Sequence, residues 1–237
     1  MLKLLPFLLV IGYALVAWRF SAWRLKRELA ERARPLDHPE LEAAVRRLGR
    51  ALEIPHLKAH VYDVPAFNGL AAPDGRVFVT SGVLDQHRLG RVSTDEVASI
   101  VAHELGHVGL GHSRRRMIDW TGQNAIRWVA VAVLGRFIPF IGPWVGAMLA
   151  SLLAARLSRQ DEFEADAFAA AVMRKAGLNR AAQAELLRKL DKMGPSSTGI
   201  AWLMSHPPSE KRARAIEALH AEWDGGKAPD PTLRGKA

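Results

Sequence analysis

The chain has 237 residues, 49% of them hydrophobic, enough to bury one ordinary core and too few for two independent ones. It contains no cysteine, which excludes disulfides, iron–sulfur clusters, thiolate zinc sites and a cysteine nucleophile, so any metal must be held by His, Asp or Glu. Thirty-three Lys and Arg against 24 Asp and Glu give a formal charge of +9, a balance that suits nucleic acid, anionic lipid or acidic substrates until its placement is considered.

Much of that charge lies beside an apolar segment. Residues 4 to 18 are uncharged, bounded by Lys3 and Arg19 and followed by Arg24, Lys26, Arg27, Arg32 and Arg34. This predicts an N-terminal membrane anchor over residues 1–23 and a basic juxtamembrane segment over 24–34 that stays on the cytoplasmic side. The uncharged run is shorter than the roughly 20 residues a spanning helix prefers, so Lys3 and Arg19 would snorkel and Trp18 and Trp23 would lie at the interface. A cleaved signal peptide is the rival, but no A-x-A-type site follows the apolar run and the dense positive charge opposes export. No basic stretch beyond it is interleaved with stacking aromatics, so nucleic acid is not an expected partner.

Residues 38 to 55 then predict an amphipathic helix, with apolar residues at 41, 45, 48 and 52 and a stop at Pro55. The runs LKAHVYDV and RVFVTSGVL follow, with the turn signal Pro73-Asp74-Gly75 between them, and predict a small antiparallel sheet. Ser93 and Glu96 form a capping box that launches a long helix through VASIVAHELGHVGLGHS. Residues 128–155 are a second apolar region, interrupted by Arg136, Pro139, Gly142 and Pro143. Two crossings would need about 40 residues, so a broken hairpin is expected, dipping into the bilayer through Trp128, Phe137, Phe140 and Trp144 or packed on the protein. Helices are predicted from 157 to 175, 179 to 193 and 209 to 223, and residues 224–237 are expected to be disordered. The fold expected is α+β and mostly helical, with one domain spanning 35–223.

The chemistry lies on the capped helix. His103-Glu104-Leu105-Gly106-His107 matches H-E-x-x-H, and residues four apart share a helix face, so both imidazoles can reach one zinc ion while Glu104 holds an attacking water. A third ligand is required. The spacing H-E-x-x-H-x-x-G-x-x-H would need Gly at 110 and His at 113, but Leu110 and Ser113 stand there and His112 is one residue out of phase. A carboxylate from a second helix is the alternative. Glu162 and Asp166 share a face, so Glu162 can complete the metal shell while Asp166 accepts from a ligand histidine, although spacing alone does not separate Glu162 from Glu164.

These motifs together, H-E-L-G-H with a further His five residues on, then S-R-x-x-E-x-E-A-D-x-x-A, then S-H-P-P-x-x-x-R, resemble the membrane-associated gluzincin peptidases that include HtpX and the Ste-type CAAX prenyl endopeptidase. The resemblance covers residues 55 to 215. It implies a zincin-type catalytic domain holding one Zn²⁺ per chain through His103, His107 and Glu162, with Glu104 as general base and Asp166 supporting the ligands. It also implies that His206 lies near the developing oxyanion and that Arg212 braces the site. Asn68-Gly69 would precede a strand, VFVTSG, whose edge pairs with a protein or peptide substrate in extended form. The expected function is a membrane-associated zinc endopeptidase of membrane protein quality control, held in a bacterial inner membrane by a single anchor with its catalytic domain facing the cytoplasm and membrane lipid as a partner. The alternative is a catalytically silent adaptor or chaperone that retains the fold. HtpX relatives carry several clear transmembrane helices, whereas this chain has one short anchor and a hairpin, and prenylated substrates are not supported.

Overall fold

Pro39 at the first helical position and Glu40 and Glu42 in the first turn favour a helix start, and the left-handed Glu53 (φ 61°) lies just beyond the end of α1 (Pro39–Ala51). Leu41, Val45 and Leu48 of the predicted stripe are buried, and Leu52 caps the helix. The computed structural model describes residues 31–54, 56–72, 76–112, 142–193, 206 and 210–225, together with scattered positions between 12 and 29.

The sheet is mixed, which corrects the antiparallel arrangement expected. Its order is β1-β2-β4-β3, with β1 (Ala33–Pro35) antiparallel to β2 (Ala59–Tyr62), β2 parallel to β4 (Val77–Thr80), and β3 (Gly69–Ala71) antiparallel to β4. The connection read as a plain link between two strands carries a strand of its own. The chain therefore reverses twice between β2 and β4, which brings them side by side in the same direction. Ala72 N–H donates to Arg76 O at 2.8 Å to close the β3–β4 return, and the turn residues Pro73, Asp74 and Gly75 lie outside the described residues. β4 is flanked on both sides, so among the described residues the edge strands are β1 and β3 and not VFVTSG.

The run RVFVTSGVL also ends earlier than expected. Thr80 Oγ1 donates to Ala66 O at 2.6 Å and accepts from Asn68 N–H at 3.0 Å, and the chain turns there into α2 (Ser81–Arg88). Gly82 permits this: a Cβ there would come within 2.3 Å of Pro65 O.

The predicted capping box is present at the head of α3 (Thr94–Gly109), where Ser93 Oγ accepts from Glu96 N–H at 3.2 Å and Glu96 Oε2 accepts from Ser93 N–H at 2.7 Å. The Glu96 carboxylate also accepts from Lys189 Nζ at 2.9 Å, which ties α3 to α5 (Ala182–Met193). α4 runs unbroken from Gly142 to Lys175, 34 residues, so the second arm of the apolar region continues into the segment carrying Glu162 and Asp166. The first arm, with Trp128, Phe137 and Phe140, lies outside the described residues, as does the side chain of Trp144. α6 (Glu210–Trp223) completes the described elements.

One main core fills the space between α1, the sheet and α3, reached by Ala169, Val172 and Met173 of α4 and Leu186 and Leu190 of α5. Leu29 is fully buried against Ala72 and Phe78, and β1 spans the boundary expected between 34 and 35, so the basic segment is joined to the sheet. Of the expected anchor only a few positions are described. All of them are helical, and Tyr13, Val16, Phe20 and Trp23 are exposed. Among the described residues, no helix is long and apolar enough to cross a membrane. Asp224, placed in the expected disordered tail, pairs with Arg174 and Arg180 at 2.9 and 2.5 Å, and residues 226–237 lie outside the described set.

Candidate metal centre

α3 and α4 form the most extensive helix pair in the fold, and a glycine lets them meet. A Cβ on Gly106 would stand 3.1 Å from the Cα and O of Ala165, so the backbone of α4 crosses α3 at a position where no side chain intervenes. Ala165 is itself fully buried. This close crossing brings Glu162, one turn earlier on α4, over the histidine face of α3.

Four buried donors converge there: His103, His107, Glu162 and His206. Tetrahedral zinc with bonds of about 2.0–2.1 Å would space its ligand atoms about 3.3 Å apart. His103 Nε2 lies 3.1 Å from His107 Nε2 and 3.4 Å from Glu162 Oε2, and His107 Nε2 lies 3.4 Å from Glu162 Oε1. His206 Nδ1 is 3.3 Å from His103 Nε2 and 2.8 Å from Glu162 Oε2. The spacings match a tetrahedral shell and the atoms are imidazole nitrogens and a carboxylate, so the donor set fits zinc.

The protonation balance says the same. Burial opposes charge on His103, but the Asp166 and Glu162 carboxylates outweigh it and raise the group to about 9. At His107 burial prevails and lowers the pKa. Burial would raise Glu162, yet its contacts with His103, His107 and His206 hold the carboxylate well below the usual range. The ring calls for one compensating positive charge, a proton on His103 or a metal ion.

Behind the ring sits a second layer from α4, α5 and α6. Asp166 Oδ1 is 3.0 Å from His103 Nδ1. Arg212 grips the same carboxylate at both oxygens, Nε to Oδ2 at 2.6 Å and an NH2 donor to Oδ1 at 2.8 Å, and lies 3.3 Å from Glu162 Oε2. Gln183 adds an amide donor to Asp166 Oδ1 at 3.2 Å. Burial opposes ionisation of Asp166, but the Arg212 guanidinium brings it down to about 2. Arg212 is thus a buried brace between two carboxylates.

Glu104 faces the other side of the ring. Its Oε1 is buried, lies 3.4 Å from His206 Nε2, and has no hydrogen-bond donor among the described residues. Gly69 of β3 lies against it: a Cβ there would meet Ile100 Cγ2 at 2.4 Å and Glu104 Cγ at 3.3 Å. The free edge of the sheet therefore runs beside the buried carboxylate.

The profile of peptidase family M48 matches residues 35–220. The chain belongs to that family. Among similar proteins, metalloprotease LoiP of Escherichia coli (strain K12) is 30% identical over 156 residues, covering 66% of this chain and 60% of LoiP. Mitochondrial metalloendopeptidase OMA1 of Schizosaccharomyces pombe is 28% identical over 202 residues, covering 83% of this chain and 56% of OMA1. A protease HtpX homolog of Salinibacter ruber is 27% identical over 255 residues, covering 91% of this chain and 87% of that protein. The chain thus spans little more than half the length of the first two relatives.

In this M48 chain the geometry separates the two glutamates that spacing left open: Glu162 enters the ring, while Glu164 lies 3.2 Å from His112. His206 stands among the donors. Ser205, Pro207 and Pro208 of its motif lie outside the described residues. Sequence reasoning missed Gln183, because a helical glutamine two elements away carries no spacing signal. It saw His112 as a histidine out of phase and as part of the motif that carries the family resemblance, with no role of its own, whereas the structure packs it against His107.

Proposed function

We propose that this chain is a membrane-associated zinc endopeptidase of membrane protein quality control, holding one Zn²⁺ through His103, His107 and Glu162 and cleaving a protein or peptide laid along the free edge of β3. The observation that carries it is the buried ring of donors beside the buried Glu104, whose Oε1 has no hydrogen-bond donor among the described residues. Zinc, when bound, supplies Lewis acidity that makes a water nucleophilic near neutral pH and polarises a carbonyl. Glu104 takes the proton as the water oxygen attacks the scissile carbon, then passes it to the departing amine as the C–N bond breaks. His206 Nε2, on the Glu104 side of the ring, is placed to donate to the tetrahedral oxyanion. Asp166 keeps the tautomer of His103 fixed, and Arg212 holds Asp166 and Glu162 in place.

Membrane attachment through residues 1–23 is supported by the basic flank and by Tyr13, Val16, Phe20 and Trp23, exposed at helical spacing. The same flank favours a cytoplasmic catalytic domain at a bacterial inner membrane.

One observation favours the silent adaptor as a second candidate. With His206 counted, four protein donors surround the metal position, the number typical of structural sites. Casein cleavage and self-cleavage by the purified protein, with and without zinc and beside Glu104→Gln, separate the two. Zinc-dependent cleavage abolished in Glu104→Gln is expected; no cleavage by the zinc-loaded wild type sinks the peptidase proposal. For the ligand assignment, Glu162→Ala should reduce zinc affinity far more than Glu164→Ala, and equal losses would overturn it.

A further inference from the structure

Beside the metal ring lies a second cluster, His112, Asp161 and Glu164, whose donor atoms are also close enough to hold an ion. How it is built argues for another use. α3 ends at Gly109 with Leu110 as its cap, and Gly111 follows with φ +69°, the left-handed terminator of a helix. Had the helix continued, residue 112 would point about 140° away from residue 107. The glycine instead turns the chain back, and His112, fully buried, meets the ligand histidine with Nδ1 2.8 Å from His107 Nδ1. On its far side His112 Nε2 is 3.2 Å from Glu164 Oε2 and 3.9 Å from Asp161 Oδ1.

The proton positions follow in sequence. A neutral His107 that offers its Nε2 lone pair to a metal carries its proton on Nδ1. That proton must be donated to His112 Nδ1, which therefore is the acceptor. His112 then carries its own proton on Nε2 and donates it to Glu164. A second metal on His112 Nε2 would need a lone pair there and a proton on Nδ1, which would oppose the proton of His107 across 2.8 Å. The two clusters cannot both hold metal in this arrangement.

We propose that His112, backed by Glu164, is a positioning residue that fixes the tautomer and ring orientation of His107, in the place that Asp166 takes for His103. This rests on His107 being a metal ligand, as in the proposed function, but not on hydrolysis. The two imidazoles are held unequally. His103 has a carboxylate directly behind it, whereas His107 has a neutral ring whose carboxylate stands one hydrogen bond further out and is 33% exposed.

The test uses the full-length chain loaded with Zn²⁺ or Co²⁺. Affinity is measured by chelator competition, stoichiometry by metal analysis, and ligand geometry by the visible Co²⁺ spectrum. Wild type should bind one metal per chain. His112→Ala should lose roughly 10- to 100-fold in affinity and shift the Co²⁺ band while keeping one metal per chain. His112→Gln, whose amide can accept from His107 and donate to Glu164, should recover most of the affinity and the band. Glu164→Gln, altered at the partly exposed end, should show a smaller loss in the same direction and covers the case in which His112→Ala fails to fold. Unchanged affinity and an unchanged Co²⁺ band in His112→Ala and Glu164→Gln would overturn the proposal, as would a second equivalent of metal that disappears with His112. A wild type that binds one metal but cleaves nothing sinks the peptidase proposal and leaves this one standing.

Discussion

Two of the charge networks that hold α6 to its neighbours differ in nearly everything except composition. One is buried: Arg212 with Asp166 and Glu162, all about 3% exposed. The other is at the surface, where Arg188 of α5 bridges Glu210 and Glu217 of α6, with Arg214 adding a fourth charge. Inside, each charge has lost its water and depends on its partner, so the network is costly to break. Outside, water and salt replace any partner that leaves. The first is built around the metal position, and the second merely clasps two helices.

The comparison is broken most severely at Arg212. Arg212→Ala leaves the Asp166 and Glu162 carboxylates buried without their guanidinium, a loss of about 3–5 kcal/mol expected in chemical denaturation of the metal-free protein. A loss no larger than that of a surface pair would mean the site relaxes to admit water. Asp166→Asn is milder, since it keeps the shape and removes the charge. Zinc should remain bound with affinity reduced roughly 10- to 100-fold in a chelator competition. At the surface, Arg188→Ala should move the denaturation midpoint only slightly, and by less still in high salt; a shift comparable with that of Arg212→Ala would erase the distinction.

Acid sharpens the same contrast. The hydrogen bond from Arg188, and then that from Arg214, hold Glu210 down to about 2, below the ordinary glutamate value. A carboxylate lowered on folding stabilises fully above its unfolded pKa and loses that contribution as pH falls through its folded one. The surface clasp is therefore intact at neutral pH and fades between about pH 4.5 and 2. The effect should be small because both groups are exposed, and it should shrink in Arg188→Ala, where only the Arg214 pair remains on Glu210, as followed by denaturation midpoints across that range.

The helix carrying H-E-x-x-H was readable because its signals are local: a capping box within four residues and two histidines at a four-residue spacing. The sheet was not, because pairing is set by long-range partners. The three residues Gly69–Ala71 are too few to show a period, yet they reverse the direction in which β4 meets β2. Glu162 and Glu164 lie on different faces of α4, spacing does not say which face meets α3, and the crossing over Gly106 sets it. The role of His112 hides in one dihedral angle, that of Gly111, which turns a five-residue spacing from opposite faces into contact.

The continuity of α4 has a mechanical consequence. Its apolar start at Gly142 and the carboxylate of Glu162 lie on one rod, roughly 30 Å apart at 1.5 Å per residue. A tilt of about 2° about the apolar end would displace Glu162 by about 1 Å, a shift large enough to matter to its proposed role as a metal ligand. Whatever grips the apolar end of this helix thereby acts on the same rod that carries Glu162, and the close seat of Ala165 on Gly106, with Ala169, Val172 and Met173 in the main core beyond it, steadies the carboxylate end.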